Sequence, residues 1–225
     1  MIPDPEVAAI GVLGTLLRHA GVRGDRLGLR FGRLILGLVL FGLGIACMAR
    51  ANLGLGPWAA LHDGVSRHIG LPLGTVDMLL SVPILLLWLP LRERPGPGTL
   101  LTAVVLGGST NVGLVLLPPV EALPVQVGLL TMGITLTAIG SALYLSINLG
   151  AGPRDGLMTG IQRRFGWSVV PVRTTIEGSV LIAGALLGGS VGFGTVAYAL
   201  AIGPGLSLAY RRVGAHHLIR PPRLG

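Results

Sequence analysis

The sequence predicts an all-α integral membrane protein with six transmembrane helices. They form two inverted-topology three-helix repeats, each with a short amphipathic or re-entrant helix after an Asn-Leu-Gly-x-Gly-Pro break. Three observations predict it. Of the 225 residues, 51% are apolar and only 12% charged, with a mean hydropathy of +0.77, where soluble domains carry about 25% charge. The stretch "NLGLGPW" at 52–58 returns as "NLGAGPR" at 148–154, 96 positions later. All 17 basic residues are arginine, scattered between apolar runs and not gathered in a stripe.

Six stretches approach the about 20 helical residues that cross a hydrocarbon layer: 34–49, 71–89, 99–117, 123–147, 168–187 and 190–210. The first is short, and Arg33 and Arg50 bracket it, with stems that can snorkel to the interfaces. Pro83 and Pro204 fall inside the second and sixth, where each removes a helix hydrogen bond.

The repeat extends beyond the break. At the same offset of 96, Gly37 falls on Gly133, Gly44 on Gly140, Leu61 on Leu157, Gly64 on Gly160, Arg67 on Arg163, Gly70 on Gly166, Gly98 on Gly194 and Gly107 on Gly203. Apolar sequence alone does not repeat its glycine and polar punctuation at one register. Each copy contains three crossings, an odd number, so the second enters from the opposite face, and the repeats are inverted about an axis in the membrane plane. With the N-terminus inside, fourteen arginines are cytoplasmic, including Arg92, Arg94, Arg154, Arg163 and Arg164. Only Arg50 and Arg67 are outside, with Arg173 just inside a span, which follows the positive-inside rule. The organisation expected is a cytoplasmic arm at 1–30, repeat 1 at 31–119, repeat 2 at 120–213 and a basic tail at 214–225.

After each break, a proline at the first helical position and a glycine past the end delimit a short helix, 57–69 and 153–165. Leu61, Val65 and Ile69, matched by Leu157, Ile161 and Phe165, make one apolar stripe. His62, Asp63, Ser66 and Arg67, or Thr159, Gln162 and Arg163, occupy the other face. At 13 residues, about 20 Å, these helices are too short to span. Two readings stand: a helix lying flat at each interface, or a re-entrant half-helix dipping to mid-depth. Broken segments at equivalent positions of two inverted halves point to a transporter site. The free amides after Gly56 and Gly152 would then favour an anionic group. Asn52 and Asn148, with Gly54 and Gly150, are ligand-contacting candidates or simply Asx-turn formers.

Ionisable residues inside spans cost free energy and ask for partners. Asp77, Arg173 and Glu177 are the three. Asp77 and Arg173 are repeat equivalents, but entering from opposite faces leaves about 12 Å between them. Arg173 and Glu177 are i and i+4 on one helix and are expected to pair, as a structural neutralisation or as a relay. Asn111 and Thr110 either join a polar cluster or bind helices together.

Much chemistry is excluded or discounted. Without lysine there is no Walker loop and no Schiff base. Cys47 is alone, so no intrachain disulfide forms. "GGSVG" at 188–192 matches a serine-nucleophile pattern without its strand context, and with Gly184 it gives close-approach spacing instead. His216 and His217 are adjacent and poorly placed to share a metal. The N-terminus starts acidic and proline-rich and does not read as a cleavable signal. No catalytic residue, metal or cofactor is expected, and no nucleic acid.

"ANLGLGPW", "GLPLGTV", "NLGAGPRDGLMTG" and "VRTTIE" resemble the multi-pass bacterial membrane proteins of the YczE/YyaS/YitT type, from about residue 31 to 210. Family members commonly carry an acid straight after the first "GPW". Here that position is Ala59, while the second copy keeps Asp155. The resemblance implies a multi-pass protein of the bacterial cytoplasmic membrane, of transporter type. Both termini are expected inside, as the arginine count predicts. Two functions follow as expectations. One is a small-molecule or ion transporter with its site between the repeats, drawn from Asn52, Gly54, Gly56, Asn148, Gly150, Gly152, Asp155, Arg173 and Glu177. The other is a non-transporting membrane subunit that partners a separate ATPase or biosynthetic enzymes. Expected partners are the lipid bilayer, a small-molecule substrate, and a second copy or an accessory subunit.

Overall fold

The computed structural model describes residues 27–213 except Asn148. Among these residues every regular element is helical. In chain order they are α1 (Leu27–Ala51), α2 (Pro57–Ile69), α3 (Leu73–Leu86), α4 (Trp88–Leu91), α5 (Pro97–Leu116), α6 (Leu123–Ile147), α7 (Pro153–Phe165), α8 (Val169–Leu186) and α9 (Phe193–Val213). Helices α1, α5, α6, α8 and α9 are long and apolar enough to cross a membrane. A sixth is counted if α2 and α3, a pair bent by 107° at a break, make one span. The protein is an integral membrane protein of five to six spans.

The first span is not short. α1 has 25 residues and takes in Arg30, Arg33 and Arg50, because arginine is a good helix former and the backbone need not stop where hydropathy falls. Arg30 Nη2 donates to Ile147 O at 2.7 Å, and Arg50 Nη2 donates to Leu114 O. Both thus tie a neighbouring helix end instead of only bracketing a span. The second stretch divides into α3 and α4 at Leu87, whose N–H bonds back to Pro83 O at 3.1 Å. Pro204, by contrast, sits inside a continuous α9. Residues 1–26 of the expected N-terminal arm and the basic tail at 214–225 lie outside the described residues.

α1 and α6 form the centre and run antiparallel. Gly37 faces Gly140 and Gly44 faces Gly133 so closely that a Cβ on Gly37 would lie 2.8 Å from Gly140 O, and one on Gly44 2.7 Å from Gly133 O. Such contacts between small residues let helix backbones touch, as in membrane bundles generally. α5 lies on the other side of α1, where Gly42 faces the backbone of Leu106 and Thr110, and α9 lies on α6, with Gly205 near Ala138. Ile45, Met48, Ala51, Leu55, Ala59, Ala60, Leu73, Leu106 and Leu130 make the largest buried cluster. Leu186 and Leu200 are 83% and 73% exposed on outward faces, where a bilayer supplies the apolar surroundings.

The short helices end as their glycines dictate. Gly70 and Gly166 both adopt φ 69, the left-handed conformation, and their N–H groups bond back to Ser66 O and Gln162 O. The buried residues of α2 are Ala59, Ala60, His62 and Gly64, whereas Ile69 of the apolar stripe is 51% exposed. On α7 the stripe divides in the same way along the axis, with Leu157 buried and Phe165 56% exposed. Each short helix is buried toward its start and exposed over its last turn.

Candidate functional site

Each break is pinned by the start of a third helix in the other half of the chain. Gly98 N donates to Leu149 O at 3.1 Å, and Gly194 N donates to Leu53 O at 2.7 Å. Thr99 Oγ1 accepts from Gly96 N and donates to Ala151 O at 2.7 Å; Thr195 Oγ1 accepts from Gly192 N at 3.2 Å. Gly54 (φ +119) and Gly150 (φ +125) hold conformations that L side chains avoid. A Cβ on Gly54 would also lie 2.7 Å from Gly192 N. Helices α5 and α9 therefore fix where α7 and α2 begin.

From there the short helices run beside longer ones. Gly56 shares a small cleft with Glu177, Gly184 packs on the backbone of Ala60 and Leu61, and Gly64 packs on Leu187. α2 thus climbs along the C-terminal half of α8 and starts beside the middle of that 18-residue helix. α7 does the same on α3 and α4: Trp88 packs on Gly156 and donates from Nε1 to Pro153 O at 3.0 Å. Gly160 packs on Leu91 and Glu93, and Arg163 pairs with Glu93 at 3.0 Å.

Where these helices begin, a cavity of about 120 Å³ opens. Its charged lining is Asp77, Arg154, Asp155, Arg173 and Glu177, and its rings are Phe41, Trp58, Tyr144 and Tyr198. Arg173 Nε donates to Glu177 Oε1 at 2.9 Å, the i,i+4 pair that the spacing predicts. Arg154 donates to Asp77 Oδ1, and its guanidinium carbon lies 5.3 Å above the Trp58 ring. The same Asp77 Oδ1 is 3.0 Å from His62 Nδ1. Tyr144 donates from its hydroxyl to Asp155 Oδ2.

Of the residues singled out by sequence, Gly152, Asp155, Arg173 and Glu177 line this cavity, and Gly56 lines the adjoining cleft. Asn52, Gly54 and Gly150 do not line it. Asn52 is exposed with φ 52, so it forms the turn, and Gly54 and Gly150 meet the helix starts that pin the breaks. Asn148 lies outside the described residues. Asn111 accepts from Gly74 N at 2.8 Å and donates to Thr75 Oγ1 at 2.9 Å, and Thr110 donates to Gly42 O of α1 at 3.3 Å. Both hold helices together.

Three placements go beyond the sequence reading. Arg154, counted among the cytoplasmic arginines, does not reach open solvent: its side chain is 19% exposed and reaches Asp77. His62, opposite the apolar stripe, is 2% exposed, against Asp77. The start of α7 is not open for an anion, because a Cβ on Gly152 would lie 3.4 Å from Asp155 Oδ2, so the chain's own carboxylate stands there. One signal could have found Arg154. It is the repeat equivalent of Trp58, and a pseudo-twofold axis can bring equivalent residues face to face.

A family model described as a family of unknown function, DUF6198, matches residues 29–211. The chain belongs to this family. An uncharacterized protein of Haemophilus influenzae is 41% identical over 170 residues, 76% of this chain and 78% of the relative. The uncharacterized membrane protein YczE of Bacillus subtilis is 32% identical over 177 residues, 78% of this chain and 82% of the relative. The uncharacterized protein YyaS of the same organism is 27% identical over 165 residues, 72% of this chain and 82% of the relative. The resemblance in the glycine and proline punctuation therefore reflects kinship with YczE and YyaS. Comparison with solved structures finds no match.

Proposed function

We propose that the protein is a small secondary carrier of the bacterial cell membrane. Its two halves, 31–119 and 120–213, are inverted repeats with both termini inside, and its substrate site is the cavity between them. The observation that carries this reading is the convergence of the two short helices on one ion-paired cavity: Arg154 of α7 pairs with Asp77 of α3 and stacks on Trp58 of α2. Trp58 and Arg154 are 96 residues apart, as are Gly37 and Gly133, or Gly44 and Gly140. The contact of Gly37 with Gly140 and that of Gly44 with Gly133 exchange under this offset, as a twofold axis requires. The bonds Gly98 N to Leu149 O and Gly194 N to Leu53 O exchange in the same way.

The register of α2 along α8, and of α7 along α3 and α4, favours re-entrant half-helices over helices lying flat, because a flat helix crosses a span at one level only. Discontinuous helices whose starts face a midplane cavity are the common construction of alternating-access carriers. The ion pairs offer a rearrangement that such a carrier can use. Arg154 holds the halves together through Asp77, so exchanging this contact loosens them.

The test uses purified protein in sealed vesicles. A panel of labelled small solutes is screened for counterflow, in which internal unlabelled solute drives transient uptake without any energy source. Saturable counterflow by wild type, lost in Glu177→Gln, supports the carrier. No counterflow for any solute class contradicts it.

A further inference from the structure

Given a carrier with its site in this cavity, the lining narrows the substrate by charge, surface and hydrogen bonding. Three carboxylates face two guanidiniums: Asp77, Asp155 and Glu177 against Arg154 and Arg173. Two pairs are closed, Arg154 with Asp77 and Arg173 with Glu177. Among the described residues Asp155 has no cation within 4 Å. Among the described residues it accepts only the Tyr144 hydroxyl, although an ionised carboxylate has about four acceptor positions. The helix start beside it supplies only part of a positive charge. The cavity is thus one negative charge in excess, in a site walled by apolar helices where an uncompensated charge is costly.

The surroundings of that charge favour an organic cation. Phe41, Tyr144, Trp58 and Tyr198 are the rings of the lining, and rings attract weakly hydrated cations over their faces. The Trp58 ring already carries one, the Arg154 guanidinium at 5.3 Å. Among the described residues no three His, Cys, Asp or Glu side chains converge as metal ligands. One donor is left over: Trp58 Nε1 is buried without a hydrogen-bond partner, and a buried N–H of this kind asks for an oxygen acceptor. A volume of about 120 Å³ admits a molecule the size of several waters.

We propose that the cavity binds a small monovalent organic cation, an ammonium compound that also carries an oxygen acceptor. Its charge rests against Asp155, its apolar surface against Tyr144 and Tyr198, and its oxygen accepts from Trp58 Nε1–H. This reverses the preference for anions expected from the helix starts alone.

The probe is labelled choline, which has both features, with tetramethylammonium, glycine and acetate as competitors. Binding is measured on the full chain in nanodiscs and exchange in vesicles. Choline binds saturably, tetramethylammonium competes and acetate does not. Asp155→Asn weakens choline by about tenfold or more, a loss of at least ~1.4 kcal/mol, while Asp155→Glu, which keeps the carboxylate, loses less. Trp58→Phe weakens choline more than tetramethylammonium, since only choline has a hydroxyl to lose. No choline binding, competition by acetate, or Asp155→Asn binding choline like wild type overturns the proposal. Choline bound but not exchanged refutes the carrier and leaves the ligand class standing. Saturable exchange of acetate or glycine, abolished by Asp155→Asn, refutes the ligand class and leaves the carrier.

Discussion

Arg154 engages two partners at once, a carboxylate on α3 and an aromatic face on α2, and this sets what its removal does. Asp77 is 4% exposed, so Asp77→Asn leaves a largely buried guanidinium without its counter-charge, a loss of about 3 kcal/mol or more. The double variant Asp77→Leu/Arg154→Met removes both charges and recovers most of that loss, because a buried pair contributes little net stability over an apolar replacement. Melting midpoints of the two singles and the double in detergent check this. A double variant as unstable as the sum of the singles contradicts a direct pair. Arg173 with Glu177 was legible from i,i+4 spacing, since one helix fixes that distance. Arg154 with Asp77 was not, because their meeting depends on how α7 docks. The burial of His62 was not legible for a related reason: it depends on how α2 docks against α3 and α8.

Helix ends and close contacts were the most legible features at the scale of elements, because glycine and proline act through backbone geometry that needs no tertiary knowledge. The bounds 57–69, 153–165 and 123–147 all recur in the folded chain. α1 outran its apolar window, since charged residues with long stems continue a helix that hydropathy would end. Gly37→Ala, whose Cβ would lie 2.8 Å from Gly140 O and 2.8 Å from Tyr144 N, separates α1 from α6 at a cost of about 1–3 kcal/mol. Gly32→Ala, in the same helix with open space around it, is neutral or slightly stabilising, as helix propensity favours alanine by about 1 kcal/mol. Thermal unfolding of the two variants separates packing from propensity; equal behaviour argues against the close crossing. Gly54→Ala, strained at φ +119 and crowded by Gly192, frees the first break from α9 and lowers binding at the cavity together with stability.

For the whole molecule, the all-helical membrane class was legible because composition and the length of the apolar runs bear on it without reference to any side-chain contact. The function was less so. The sequence marked Gly152, Asp155, Arg173 and Glu177, but the aromatic walls and the excess carboxylate emerge only when α2, α6, α7 and α9 are brought together around one cavity. Each conclusion drawn about that cavity depends on the two halves threading the membrane in opposite senses. Two turns report on this directly: Leu71, which follows α2, and Trp167, which follows α7, are 39% and 60% exposed. In a Cys47→Ala background, Leu71→Cys and Trp167→Cys are each labelled with a membrane-impermeant maleimide in intact cells and in inverted vesicles. The account predicts that Leu71→Cys reacts only from outside and Trp167→Cys only from inside; both reacting from the same side would contradict it.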